Sequence, residues 1–175
     1  MANLPYIQAI SVNTQTIITA DTPQVIILDT IDDKNEFDLN TTTGVITYNK
    51  AGAARKFAYI SGPQVAREDA CSTDVPNFRH WLQKKTKRET EFSDVLNTNV
   101  IMNVNRHRET KDVLTLNGLI TLEKDDELRF MMASSVDNLV KIEAIPMTSE
   151  PDVPSIIVSI FNIGLEKDEE IEAEI

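Results

Sequence analysis

The sequence is short of the side chains that most catalytic chemistry draws on. Its 175 residues include one cysteine, Cys71, and two histidines, His80 and His107. A single thiol rules out an internal disulfide framework. Neither histidine has a partner at metal-ligand spacing, and zinc-type sites need three or four converging donors. No metal or cofactor is therefore expected. A Cys71–His80 nucleophile pair can be drawn, but Cys71 falls in the loop-like stretch Asp69-Ala70-Cys71-Ser72-Thr73-Asp74. Acids on both sides there oppose thiolate formation. Among only five glycines none opens a phosphate-cradling loop, and no nucleophilic-serine elbow is present. These absences predict a protein that is not an enzyme.

Long apolar runs are missing too. No window approaches the roughly 18 consecutive apolar residues of a membrane-spanning helix, so no membrane insertion is expected. Positive charge is scarce, with 17 Lys and Arg against 28 Asp and Glu, a net −11. Phosphate is repelled at long range by such a chain, which argues against nucleic acid as a partner. The opening Met1-Ala2-Asn3-Leu4-Pro5-Tyr6 has neither a basic n-region nor an apolar h-region. Synthesis in the cytoplasm without a secretory leader is the expectation, and the glycosylation pattern Asn40-Thr41-Thr42 carries little weight under it.

What is present reads as strand. A length of 175 residues with 41% hydrophobic side chains suits one domain with a sizeable core. Helical periodicity is nearly absent, and β-branched or aromatic runs recur between turn clusters. Candidate strands are Gln15–Thr19, Gln24–Asp29, Asn35–Asn40, Gly44–Asn49, Arg55–Ser61, Asn77–Gln83, Asn99–Asn105, Val113–Leu122, Glu127–Ala133, Val140–Pro146 and Ser155–Ile163. Turn clusters between them include Asp32-Asp33-Lys34-Asn35 and Glu123-Lys124-Asp125-Asp126, rich in residues that tolerate unusual backbone angles. Many short strands without helices between them predict an all-β, antiparallel two-sheet sandwich. Leu128, Phe130 and Met132 share one face of their strand, as Val140, Ile142 and Ala144 do of theirs, opposite Lys141 and Glu143, the pattern of a sheet dry on one side.

The last strand departs from that pattern. Ile156, Val158 and Ile160 point one way, Ile157 and Phe161 the other. A sandwich strand has one buried face, so the second set needs another cover. Either a second subunit supplies it, or the N-terminal segment or tail folds over it.

Three stretches in this order resemble the tumour necrosis factor (TNF) and complement globular-head superfamily. The first is Asn35-Glu36-Phe37-Asp38-Leu39-Asn40-Thr41-Thr42-Thr43-Gly44-Val45-Ile46-Thr47-Tyr48-Asn49-Lys50-Ala51-Gly52, followed by a strand carrying Phe57 and Tyr59. The second is the hairpin Leu119-Ile120-Thr121-Leu122-Glu123-Lys124-Asp125-Asp126-Glu127-Leu128-Arg129-Phe130, and the third is the ending Pro154–Gly164. Two departures stand out: Asp125 replaces the family's hairpin glycine, and Ala53-Ala54-Arg55-Lys56 is more polar than the usual run. The Phe37–Gly52 wording is closest in style to the trimeric heads on virion and spore surfaces.

The resemblance implies a TNF-like jelly roll of ten strands, assembled as a homotrimer, with the C-terminal strand near the three-fold axis. Ile156, Ile157, Val158, Ile160 and Phe161, with Phe57, Tyr59 and Phe130, are then expected in the trimer interface or inner-sheet core. It divides the chain into an N-terminal segment, 1–23 (first strand or anchor), a jelly-roll domain, 24–164, and an acidic tail, 165–175. Some heads of this family carry calcium near the turn Glu123–Glu127, but Lys124 sits among those acids, and the turn is read as solvated. Trp81 is expected in the core.

One basic stretch stands out from the acidic background: Arg79, Lys84, Lys85, Lys87 and Arg88, with Arg106 and Arg108 further on. It is a candidate partner-binding surface or a solvated loop. The function expected is a structural or attachment module on a virion or other particle surface. Its partner would be a glycan, a host-surface protein or another particle protein. The alternatives are a lectin-like glycan-binding head and a soluble TNF-like receptor ligand.

Overall fold

A computed structural model describes residues 4–68, 75–105, 107 and 110–164. The described residues form fifteen strands. In chain order they are Tyr6–Ser11 (β1), Gln15–Thr16 (β2), Gln24–Val25 (β3), Thr30–Asn35 (β4), Phe37–Asn40 (β5), Val45–Tyr48 (β6) and Arg55–Arg67 (β7). There follow Asn77–Lys85 (β8), Ser93–Asp94 (β9), Val100–Asn103 (β10), Asp112–Val113 (β11), Leu116–Leu122 (β12), Glu127–Ser134 (β13), Val140–Ile142 (β14) and Ile156–Asn162 (β15). Five of these are two or three residues long. The ten longer strands divide evenly between two antiparallel sheets. The first holds β4, β1, β15, β7 and β12, with β14, β2 and β11 beside β7 and its neighbours; the second holds β10, β8, β13, β6 and β5, with β3 and β9 at its margins. This is the expected two-sheet jelly roll.

Alternation builds the core. Ile156, Val158 and Ile160 of β15 are buried, opposite Ile7 and Ala9 of β1 and Tyr59 and Ser61 of β7. The second sheet contributes Phe37, Ile46, Tyr48, Phe78, Leu82, Leu128 and Phe130. Phe37, Tyr48 and Phe57 pack as a triangle, with ring centroids 5.0–5.4 Å apart. Edge-on and tilted contacts of this kind add to the gain from burying the rings. Trp81 is buried as well, but on the outer side of the second sheet, with Met131, Ala133 and Val25. Its place one residue before the core-facing Leu82 dictates that side.

The sequence reading and the structure differ at several elements. β1 has no counterpart among the candidate strands, because two of its three core positions are Ala9 and Ser11, too small or polar to announce a buried face. β4 occupies the cluster Asp32-Asp33-Lys34-Asn35, which reads as a turn. It is an edge strand, where charge blunts pairing with another chain, and Asp33 and Asp32 accept hydrogen bonds from Tyr6 Oη (2.8 Å) and Gln8 Nε2 (2.7 Å) of β1. The run 113–122 is interrupted at Leu114 and Thr115, giving β11 and β12. Glu36, at φ 59°, takes the chain from β4 in one sheet to β5 in the other.

Asp125 adopts φ 71°, the left-handed conformation that glycine enters without cost. At the opposite hairpin, Gly44 has φ 69°, and a Cβ there would lie 2.4 Å from the carbonyl oxygen of Ile26.

Candidate functional site

The outward face of the first sheet carries the main anomaly of the surface. Register places its residues in rows: Tyr6, Phe161, Ala58 and Leu119 in one, Ile10, Ile157 and Gly62 in another. Ile157 and Phe161 are 45% and 41% exposed, and Ile60, Val113 and Leu119 beside them are exposed too. Small residues at Ala58, Gly62 and Ser159 leave a shallow groove of about 290 Å³, lined chiefly by Ile60, Gly62, Val113, Val153, Pro154 and Ile157. The set Ile156, Val158, Ile160, Phe57 and Tyr59 is buried on the inner side of the same sheet, and Phe130 is buried in the second sheet, so the sequence-predicted group is split between core and surface. Sequence could not assign those sides, because both parities of β15 are apolar.

An ion chain borders the groove. Lys111 pairs with Glu143, Lys141 with Glu143 at 3.0 Å and Lys141 with Glu68 at 2.6 Å. Burial opposes the charge on Lys141, yet hydrogen bonds to Glu68 and Glu143 hold its pKa above the ordinary value. Burial likewise opposes ionisation of Glu143, and its lysine partners bring its pKa below the ordinary value. Gln64 Nε2 donates to the Glu143 carbonyl at 3.0 Å, joining this chain to β7.

The basic stretch is dispersed by folding. Arg79 pairs with Asp21, Lys84 with Asp126 at 2.6 Å and Lys85 with Glu127 at 2.7 Å. Lys85 and Arg129 also lie over the Phe92 ring, 5.3 and 4.1 Å from its centroid. Lys87 and Arg88 line a cleft of about 270 Å³ with Lys84, Thr86, Thr121 and Glu123. Arg106, Arg108, Cys71 and the tail 165–175 lie outside the described residues. In the turn 123–127, the buried Asp126 carboxylate accepts from Glu123 N at 3.0 Å and from Lys84. No group of three His, Cys, Asp or Glu able to hold a metal occurs among the described residues.

Sequence reasoning missed one polar pair in the core. His80 and Ser61 are fully buried, and Ser61 Oγ lies 2.7 Å from His80 Nε2. His80 Nδ1 lies 2.9 Å from the Met131 carbonyl. A carbonyl only accepts, so Nδ1 carries the proton and Ser61 donates to Nε2. Burial lowers the His80 pKa to about 4, with the Met131 hydrogen bond opposing it. A serine–histidine contact with no exposure to solvent offers no attack on a substrate; it joins the two sheets. The available signal was Ser61, a hydroxyl at a core-facing position of β7.

The two five-strand antiparallel sheets stack as a jelly-roll sandwich, a fold shared with solved TNF-type and complement globular heads. Among solved structures, the chain is similar to the globular domain of zebrafish complement 1qA protein, with a TM-score of 0.55 at 12% identity over 93% of this chain and 98% of that one. It is also similar to murine APRIL at pH 5.0, with a TM-score of 0.57 at 6% identity over 92% and 100%. No protein-family model and no curated protein sequence matches.

Proposed function

We propose that the chain is a non-enzymatic head that assembles as a homotrimer through the outward face of its first sheet. The observation that carries this reading is the cluster Ile60, Val113, Leu119, Ile157 and Phe161, exposed together on one sheet face of a net-acidic chain. Patches of this kind mark association surfaces. The tail is a poor cover for it, since residues 166–175 hold six acids and one lysine. A second copy brings apolar surface of matching character. The jelly-roll likeness supports the same reading.

Three copies would present three sets of loops in fixed geometry, and weak contacts held together in this way gain avidity. On this reading the module is a structural or attachment protein on the surface of a virion or other particle. The Lys87–Arg88 cleft belongs to the surface left for partners. The test is absolute mass in solution by light scattering after size exclusion. A mass near three times 19.6 kDa is the expected result; a monomer at all concentrations overturns the reading. Binding of the assembled protein to immobilised glycans separates sugar recognition from a purely structural role.

A further inference from the structure

The cleft of about 270 Å³ lies where the β8–β9 loop meets the β12–β13 hairpin. Its base is fixed. Lys84 Nζ lies 2.6 Å from the Asp126 carboxylate and donates to the Thr121 carbonyl at 2.8 Å. Asp126 is 2% exposed and also accepts from Glu123 N at 3.0 Å. A buried charge persists only when it is paired and hydrogen-bonded, so this pair ties the hairpin to β8.

The loop side is held as well. Glu89 N donates to the Thr86 carbonyl at 2.9 Å, and Thr86 N donates to Glu89 Oε2 at 2.8 Å. This closed turn sets Lys87 and Arg88 at its two central positions and engages the Glu89 carboxylate with backbone. Lys87 and Arg88, with Glu123 on the hairpin side, have no ion pair or side-chain hydrogen bond among the described residues. Two free cations and one free carboxylate thus line one small space on a fixed frame, which lowers the cost of ordering a ligand there.

These three groups call for a ligand that both accepts and donates. A guanidinium binds a carboxylate through two parallel hydrogen bonds. The Glu123 carboxylate only accepts, and on a sugar the donors beside a carboxylate are hydroxyl groups. A polyanion is a poor match, because Glu89, Glu123 and Asp126 offset the three bases and repel further negative charge. The volume falls just below the roughly 300–1,000 Å³ of clefts that take drug-sized ligands. That suits one ring and not a chain.

We propose that this cleft binds the terminal sugar acid of a glycan, a single pyranose ring carrying one carboxylate. Arg88, with Lys87, receives the carboxylate, and Glu123 accepts from the ring hydroxyls. The proposal rests on the reading of this chain as an attachment module and names the chemistry that its cleft recognises.

The test is a titration of the full, isotope-labelled chain with methyl β-glucuronide, followed by amide chemical shifts. Saturable shifts at Thr86–Glu89 and Glu123 are expected, and methyl β-glucoside, the same ring without the charge, should cause none. Arg88→Gln should weaken binding about tenfold or more, the usual loss for a charge-assisted hydrogen bond. Glu123→Gln discriminates further, because it removes a negative charge. A site that selects charge alone then binds more tightly; a site that reads hydroxyls binds more weakly, which is the expected result. Both positions are exposed, and circular dichroism verifies that the variants keep the fold. No saturable shift, an equal response to the glucoside, tighter binding by Glu123→Gln, or preference for a heparin oligosaccharide over the glucuronide overturns the site. Light scattering on the same samples separates this outcome from the homotrimer reading. A monomer that binds the glucuronide removes the trimer and leaves the site, whereas a trimer that does not respond removes the site alone.

Discussion

Ser61 Oγ in the first sheet and His80 Nε2 in the second lie 2.7 Å apart, a hydrogen bond that crosses the interior between the two sheets. The imidazole stacks beside Phe78 and Phe130, with centroids at 6.4 and 5.8 Å. The residues facing Ser61 across the first sheet are Val158 and Leu116. Arg55, Tyr59 and Arg67 are the ionisable residues of β7 on the same side of the strand as Ser61. The Met131 carbonyl favours an imidazolium but burial outweighs it, and protonation would turn the acceptor Nε2 into a donor.

Acid should therefore weaken the fold through this residue. The folded pKa of His80 is about 4, against 6.5 for the free side chain. Between those values the unfolded chain binds the proton and the folded chain does not. Stability is then full above pH 6.5 and declines as pH falls towards 4, by about 3 kcal/mol in all. Urea unfolding of the original chain and of His80→Gln across pH 4–7.5 checks this. The variant is less stable at neutral pH but shows a shallower decline. Equal slopes would mean that His80 is not the buried neutral base described here.

The hairpin at Asp125 gives a second measurement. Asp125 holds φ 71° while its N–H donates to the Tyr48 carbonyl at 2.7 Å, so the conformation is fixed by the fold and not by the side chain. Asp125→Val should cost about 1–2 kcal/mol, the penalty of a left-handed β-branched residue. Asp125→Gly relieves that strain but loosens the unfolded chain, and should leave stability within about 1 kcal/mol. Chemical unfolding of the two variants reads the difference directly.

Gly118 and Tyr59 form a coupled pair across β12 and β7. The tyrosine lies over the glycine, and a Cβ on Gly118 would meet its hydroxyl oxygen at 2.5 Å and Cζ at 2.8 Å. Gly118→Ala should destabilise by about 1–3 kcal/mol, the usual cost of forcing a packed side chain aside. Tyr59→Phe removes the closest atom, so the double variant should lose less than the sum of the single ones. A double-mutant cycle by thermal unfolding measures the coupling; strict additivity would show that the ring moves freely.

The β class, the sheet-forming runs and the two-sided character of β15 were legible because alternating apolar residues dictate which strands bury a face. Elements whose role depends on distant partners were not. β1 hides behind Ala9 and Ser11, which are core residues only because Val158 and Ile156 pack beside them. The stretch Arg79–Arg88 reads as one basic patch, yet Asp21, Asp126 and Glu127, all remote in sequence, take up Arg79, Lys84 and Lys85. The Ser61–His80 contact requires the two sheets to be stacked before either residue has a partner.

β15 allows fold and assembly to be broken separately, with substitutions three residues apart. Ile160 is fully buried, opposite Ile7 and Tyr59. Ile160→Asp places an unpaired carboxylate in the core, a cost of several kcal/mol against a total stability of about 5–15 kcal/mol for a domain. That variant should be unfolded or lose its cooperative transition. Ile157 points outward beside the groove, and Ile157→Asp adds a charge to a surface that the single chain leaves in water. Its subunit should keep the spectrum and the unfolding transition of a folded sandwich while the assembly dissociates. Measured together, mass and circular dichroism distinguish the two faces. A folded, fully assembled Ile157→Asp protein would mean that the outward face stays wet, and the apolar cluster around it would then need a partner other than a second copy of this chain.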